Sequence, residues 1–358
     1  MKKIFLPVLM LSAALLGIIP STSNVGGSVD SHYNSEFGQK ANDLINKYDY
    51  SGSMLIVKGG RPIYSTSRGY ADYGMSLHNT IDTTYEIDSI QKSMTAAMIM
   101  QQVEANNLSL NDRLSRFYPE ISGSKNVTIR QMLDMTSGLI LMGGVGPTKV
   151  MSDPDIIDAD IKNIKYVGLL HGKWDYSAVN FNLLCGILEK LTGKSYRKLF
   201  NETYVDKLGL KQTIFAYDTS PTIVKATGYN EPNPLVKKLT YKNPFNIKRF
   251  MEYDELGTGQ VYMSVYDLYK VEQYINGPML SEQSRRELFT PGSVSTYGGG
   301  LYHRQNDNFA NGWGYGFQGV FHMSDDGKTA VIALQNYSRR GADVKPLVKQ
   351  LYQLANES

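Results

Sequence analysis

A single cysteine, Cys185, stands in 358 residues, so no intramolecular disulfide can form and the fold must be held by its hydrophobic core. Histidine is nearly as scarce. The five present show no pair at metal-ligand spacing, which argues against a zinc hydrolase. No Gly-x-Ser-x-Gly elbow occurs, so the usual nucleophile of an α/β-hydrolase is missing too. Charge of one sign is lacking: without Lys2 and Lys3 the formal net charge falls from +3 to +1, and no basic stripe marks a nucleic-acid partner. The longest apolar run, residues 4–19, contains Pro7 and is shorter than the roughly 20 residues that comfortably span a bilayer.

That run does have the shape of a secretory signal. Met1-Lys2-Lys3 supplies the basic start, and Pro20-Ser21-Thr22-Ser23 supplies small residues for cleavage, so residues 1–23 read as a signal peptide and the protein as exported. Left uncleaved, the same segment would hold the chain at the membrane surface. Residues 24–34, rich in glycine and serine, read as a flexible tether. No linker interrupts the remainder, so residues 35–358 read as one α/β (α+β) domain: an antiparallel sheet from 51–88 and 290–358, flanked by helices, with a mainly α-helical insert over about 89–280.

Local patterns support that layout. Ser35 begins an amphipathic helix, and 53–57 with 62–67 form a hairpin around Gly59-Gly60. Thr128 caps a short helix that stops at Gly138. Helical patterns follow over 155–170, 177–191 and 195–204, and Ser264 caps another that runs to Ile275. Cys185 lies in an apolar helix and reads as a packing residue. Strands over 316–323 and 329–335 surround the turn at Asp325-Asp326-Gly327, and an amphipathic helix closes the chain over 343–354.

The chemistry is sought in Ser-x-x-Lys, whose two residues share a helix face so that a lysine amine can take the serine's proton. The pattern occurs three times, and context separates the copies. Ser122 and Lys125 lie in a glycine-broken polar loop, and Ser195 and Lys198 begin a surface helix behind Thr192-Gly193. Only Ser89 and Lys92 stand between a strand-like run and a long apolar helix. A serine at that place would, taken alone, read as a helix cap.

With Ser89-Ile-Gln-Lys92, Leu108-Ser-Leu-Asn-Asp112, Met132-Leu-Asp-Met-Thr-Ser-Gly-Leu139, Trp174-Asp-Tyr-Ser177 and Gly257-Thr-Gly259, the chain resembles the serine β-lactamase and penicillin-binding superfamily in its class C-like branch. The resemblance implies a β-lactamase/transpeptidase-like fold, an acyl-enzyme on Ser89 with Lys92 as base, and no cofactor or metal. It also implies a general acid and base at Tyr176, whose hydroxyl should reach Ser89 and Lys92. Two departures accompany it. Ala178 stands where the family's second motif usually has asparagine. Asn311-Gly312-Trp313-Gly314 stands where the third usually has a lysine or histidine that holds a substrate carboxylate, an interaction worth roughly 1.5 to 3 kcal/mol.

His303 or Arg304 would be the nearby substitutes for that cation. Similar departures mark the teichoic-acid D-alanyl esterases of Gram-positive cell walls, whose substrate brings an ammonium and an ester but no carboxylate on the D-alanine. The oxyanion would be held by the N–H of Ser89 and one near Trp313 or Gly314. The expected function is therefore an exported cell-envelope acyl hydrolase of teichoic or lipoteichoic acid. A D,D-carboxypeptidase acting on peptidoglycan, or a wall-binding homologue without activity, stays open.

Overall fold

The computed structural model describes residues 35–143, 147–233, 235–236, 238–339 and 343–357. The expected signal segment and tether lie outside them. Among the described residues no helix is long and apolar enough to cross a membrane.

Seven strands form the main antiparallel sheet. In chain order they are β1 (Gly52–Lys58), β2 (Arg61–Arg68), β3 (Tyr297–Gly298), β4 (Leu301–His303), β5 (Asp307–Gly314), β6 (Phe317–Ser324) and β7 (Ala330–Gln335). Their spatial order is β3-β4-β5-β6-β7-β1-β2, so β1 lies between its hairpin partner β2 and the far end of the chain, with Leu55 opposite both Ser65 and Ile332. Gly59 and Gly60 have φ of 59° and 74°, the pair of positive values that a two-residue hairpin needs.

Both faces of the sheet are covered, and alternation along β1 shows how. Met54 and Ile56 pack with Ala41 and Ile45 of α1 (Glu36–Asn46) and with Leu347 and Leu351 of the closing helix Lys345–Glu357. Leu55 and Val57 belong to the larger cluster on the opposite face, which contains Met94 and Ile99 of α2 (Gln91–Glu104). Side chains a residue apart thus enter different cores. Helix α2 is buried continuously from Gln91 to Met100, and Cys185 is buried in Val179–Thr192, the helix packed against it.

The expected sheet loses its stretch 70–88. Tyr70–Asp72 pairs with Leu77–His78 in a separate ribbon, and Tyr85–Glu86 joins Val261–Met263 and Thr213–Phe215 in a three-stranded sheet. The helix expected over 155–170 also needs correction. It spans Asp153–Asn163 and gives way to Ile164–Tyr166, which pairs antiparallel with Leu139–Leu141; a tertiary partner overrides the helical periodicity. Ser195 does cap Tyr196–Phe200, accepting from the Lys198 N–H, and that helix continues into a π turn at Asn201–Asp206.

Candidate active site

Tyr85–Glu86 delivers the chain into a 3-10 turn, Asp88–Ile90, which leads straight into α2. Ile90 occupies the capping position of α2 with no side-chain cap, so Ser89 is free of that structural task. Lys92 donates from Nζ to Ser89 Oγ at 2.9 Å and reaches the Thr258 carbonyl at 3.5 Å. Its side chain is 1% exposed, so the amine is aimed by packing rather than left to search in solvent. The Gly257-Thr258 carbonyls are themselves positioned: Thr95 Oγ1 donates to the Gly257 carbonyl at 2.6 Å.

Tyr176 arrives on a loop pinned from behind by the stretch Met135-Thr136-Ser137. Asp175 N–H donates to the Met135 carbonyl at 2.8 Å, and Ser137 Oγ donates to Asn180 Oδ1 at 2.6 Å. The Asn180 amide in turn holds the Ser177 carbonyl at 3.0 Å. The Tyr176 ring lies 5.3 Å from Lys92 Nζ, a cation–π distance. The Tyr176 hydroxyl makes no hydrogen bond to Ser89 or Lys92 among the described residues, so here the contact runs through the ring face instead. Ala178 precedes the helix Val179–Thr192 and adds no side-chain cap.

On the other side of Ser89 runs β5. Its pairing with β4 ends at Phe309, which leaves the edge from Ala310 to Gly314 without a β4 partner while β6 holds the opposite edge. This segment packs against the turn that carries Ser89. A Cβ at Gly312 would fall 2.1 Å from the Ile87 carbonyl oxygen, and one at Gly314 would fall 2.4 Å from Asp88 Oδ1, so only glycine permits the approach. Asn311 and Trp313 line the cleft beside Ser89.

The two substitutes expected for the absent cation are placed elsewhere. His303 is held between the Gly298 carbonyl, 2.8 Å from Nε2, and the Asn308 side chain, and burial lowers its pKa toward the neutral form. Arg304 lies with its guanidinium 4.6 Å from the centre of the Phe309 ring. Neither lines the space around Ser89, where Lys92 is the one basic side chain among the described residues.

Ser89 stands where two clefts meet. One, of about 280 Å³, is aromatic, with Trp174, Tyr176, Tyr297, Tyr302 and Trp313 in its wall. The other, of about 510 Å³, is acidic and contains Lys92, Asp175, Asp254, Glu255 and Thr258. Sequence reasoning missed these carboxylates, although Asp254 and Glu255 immediately precede the Gly257-Thr-Gly259 stretch. Two more acids lie beneath: burial pushes the carboxyls of Glu86 and Asp88 well up, and the neighbouring Glu255 adds to the effect. Glu255 is also pushed up by burial, opposed by the neighbouring Lys92. A separate open groove near Arg197, Tyr217 and Arg249 does not reach Ser89, and its arginines are paired with Asp218 and Glu252.

Known proteins supply the context for this geometry. The Beta-lactamase family model matches residues 42–348. A putative penicillin-binding protein, PbpX of Bacillus subtilis (strain 168), is 28% identical over 323 residues, which cover 89% of this chain and 78% of the relative. The teichoic acid D-alanine hydrolase of Staphylococcus aureus is 27% identical over 299 residues, covering 80% and 70%. Among solved structures, FmtA from Staphylococcus aureus superposes with a TM-score of 0.79 at 23% identity, covering 91% of this chain and 88% of that one. The D-amino acid amidase of Ochrobactrum anthropi SV3 gives 0.74 at 19% identity, covering 89% and 99%. These two likenesses bear on the fold, whereas the family match extends over most of the chain and takes in both halves of the sheet together with the Ser89–Lys92 pair. The chain belongs to the beta-lactamase family and is a serine hydrolase.

Proposed function

We propose that the protein is an exported acyl hydrolase of the cell envelope that removes D-alanyl esters from teichoic or lipoteichoic acid through an acyl-enzyme on Ser89. The observation that carries this reading is the charge around the nucleophile. Among the described residues Lys92 is the one basic side chain at Ser89 Oγ, and the surrounding clefts offer carboxylates and aromatic rings but no second cation for a substrate carboxylate. An aminoacyl ester, with an ammonium on the acyl side and a neutral alcohol on the other, matches that distribution.

In this reading Lys92 takes the Ser89 proton as Oγ attacks the ester carbonyl. The oxyanion is met by the Ser89 N–H and by an N–H from the open edge of β5, beside Trp313 or Gly314. The alcohol leaves with the proton, assisted by Tyr176, and water then releases D-alanine from Ser89. The aromatic cleft receives the polyol. The likeness to a teichoic acid D-alanine hydrolase supports the substrate class, and the likeness to a putative penicillin-binding protein favours a D,D-carboxypeptidase as the second reading. Envelope-acting relatives, together with the signal-like residues 1–23, support a place outside the cell.

Incubating the protein with purified D-alanylated teichoic acid and, separately, with a D-Ala-D-Ala peptide tests the proposal. Release from the ester should exceed release from the peptide by at least about tenfold in kcat/KM, a difference of about 1.4 kcal/mol in transition-state binding. A preference for the peptide would establish the carboxypeptidase instead.

A further inference from the structure

We propose that Glu255 is the residue that selects an α-ammonium on the acyl group, making the site an aminoacyl esterase rather than a general acyl esterase. The inference deepens the function proposed above and rests on it for the acyl-enzyme chemistry, but not for the identity of the polymer.

The cleft on the acidic side of Ser89 presents three carboxylates, and their surroundings separate them. Asp254 is occupied: Oδ1 accepts the Glu255 N–H at 2.8 Å, and Oδ2 accepts the Tyr315 hydroxyl at 3.0 Å. Asp175 sits on the loop beside Tyr176 and lines the same cleft. Glu255 lines the cleft together with Ser89, Lys92 and Thr258, and its carboxylate takes no hydrogen bond and no ion pair among the described residues.

Its place is built rather than incidental. Glu255 has φ of 57°, a left-handed value rare outside glycine, and its carbonyl closes the following turn by accepting from Thr258 N–H at 2.8 Å and Gly259 N–H at 3.0 Å. The side chain folds back onto Gly259, where a Cβ would lie 1.8 Å from Oε2 and 3.0 Å from the Asp88 Cα. Any other residue at 259 would displace the carboxylate from its position next to the serine turn. Lys92 acts on this partly buried carboxylate without a direct ion pair or hydrogen bond among the described residues, and an arriving ammonium would supply a direct partner. Burial holds the carboxyl up in the free enzyme, and an ammonium beside it would act in the opposite direction, as Lys92 does.

Phenyl D-alaninate and phenyl propionate share a leaving group and differ at the amine, so their kcat/KM ratio isolates the ammonium. In the wild-type protein the D-alaninate should be preferred. In Glu255→Gln the ratio should fall at least tenfold, mainly through KM, while a fluorophosphonate probe still labels Ser89 and reports an intact nucleophile. An unchanged ratio, or equal losses on both esters, would show that Glu255 acts only as a counter-charge to Lys92 and would overturn the inference. A collapse of the ratio in Asp175→Asn but not in Glu255→Gln would transfer the role to Asp175 and overturn it equally. Failure on teichoic acid with the ester preference intact would reject the polymer substrate alone.

Discussion

A lysine that is almost wholly enclosed, with its amine 2.9 Å from a serine hydroxyl, leaves a narrow choice of roles. Arginine at that position would keep the charge but could not take a proton, so Lys92→Arg should lower kcat by about 10² to 10⁴, as removal of a general base does. Fluorophosphonate labelling, followed by peptide mapping, should place the adduct on Ser89 and lose it in Ser89→Ala; an adduct on Ser122 or Ser195 would refute the assignment. Tyr176→Phe separates two functions of one side chain, because it retains the ring over Lys92 and removes only the hydroxyl. A fall in kcat of at least tenfold would mark the hydroxyl as a proton carrier, and wild-type turnover would leave the ring as the working part. At the third motif, Asn311→Lys restores a cation beside Ser89 and should narrow the preference for ester over D-Ala-D-Ala peptide, read as a ratio of kcat/KM.

At the scale of elements, the site depends on how closely β5 approaches the turn Asp88–Ile90. Gly314→Ala would set a methyl group 2.4 Å from a carboxylate oxygen of Asp88, and relieving that clash must move the strand or the turn. A loss of about 1 to 3 kcal/mol in stability is expected from overpacking, measurable by denaturant unfolding, with a larger proportional loss of activity than of fold. These dependencies explain which features could be seen in the sequence. Gly59-Gly60 announced a hairpin because its glycines are required by the turn itself, and Ser89 could be told from Ser195 because a capped surface helix looks different from a strand entering an apolar one. The helix that stops at Asn163 was not legible, since its end is dictated by Leu139–Leu141, a strand remote from it in sequence. Nor was the lowered pKa of His303, which follows from burial that periodicity does not encode and is opposed by its two hydrogen-bond partners. The acidic cleft was hidden for the same reason: Asp175 and Glu255, far apart in sequence, line one cleft with Ser89 and Lys92 only in the folded chain.

For the molecule as a whole, buried acids set the response to pH. Burial raises Asp134 to about 7 and Glu272 to about 8, the latter with Ser93 donating to it at 2.6 Å. Each stays protonated in the fold at a pH where the unfolded chain has already ionised. Their contribution to stability is therefore complete below about pH 4 and is lost as pH rises through 7 to 8. A lower Tm at pH 8 than at pH 5 is expected, and Glu272→Gln, which keeps the shape without the titrating proton, should flatten the difference. The sheet imposes a further condition, one of timing. Strand β1 emerges early in synthesis, yet Leu55 finds Ile332 only after nearly the whole chain exists. Until then the hairpin holds an apolar face without its partner, a state exposed to aggregation and proteolysis. A chain cut before residue 330 would lack β7, and with it the strand joining the front of the sheet to the half that carries Trp313. Synthesis of this protein should therefore yield all of the fold or none of it, with the sheet completed only once β7 is available to pair with β1.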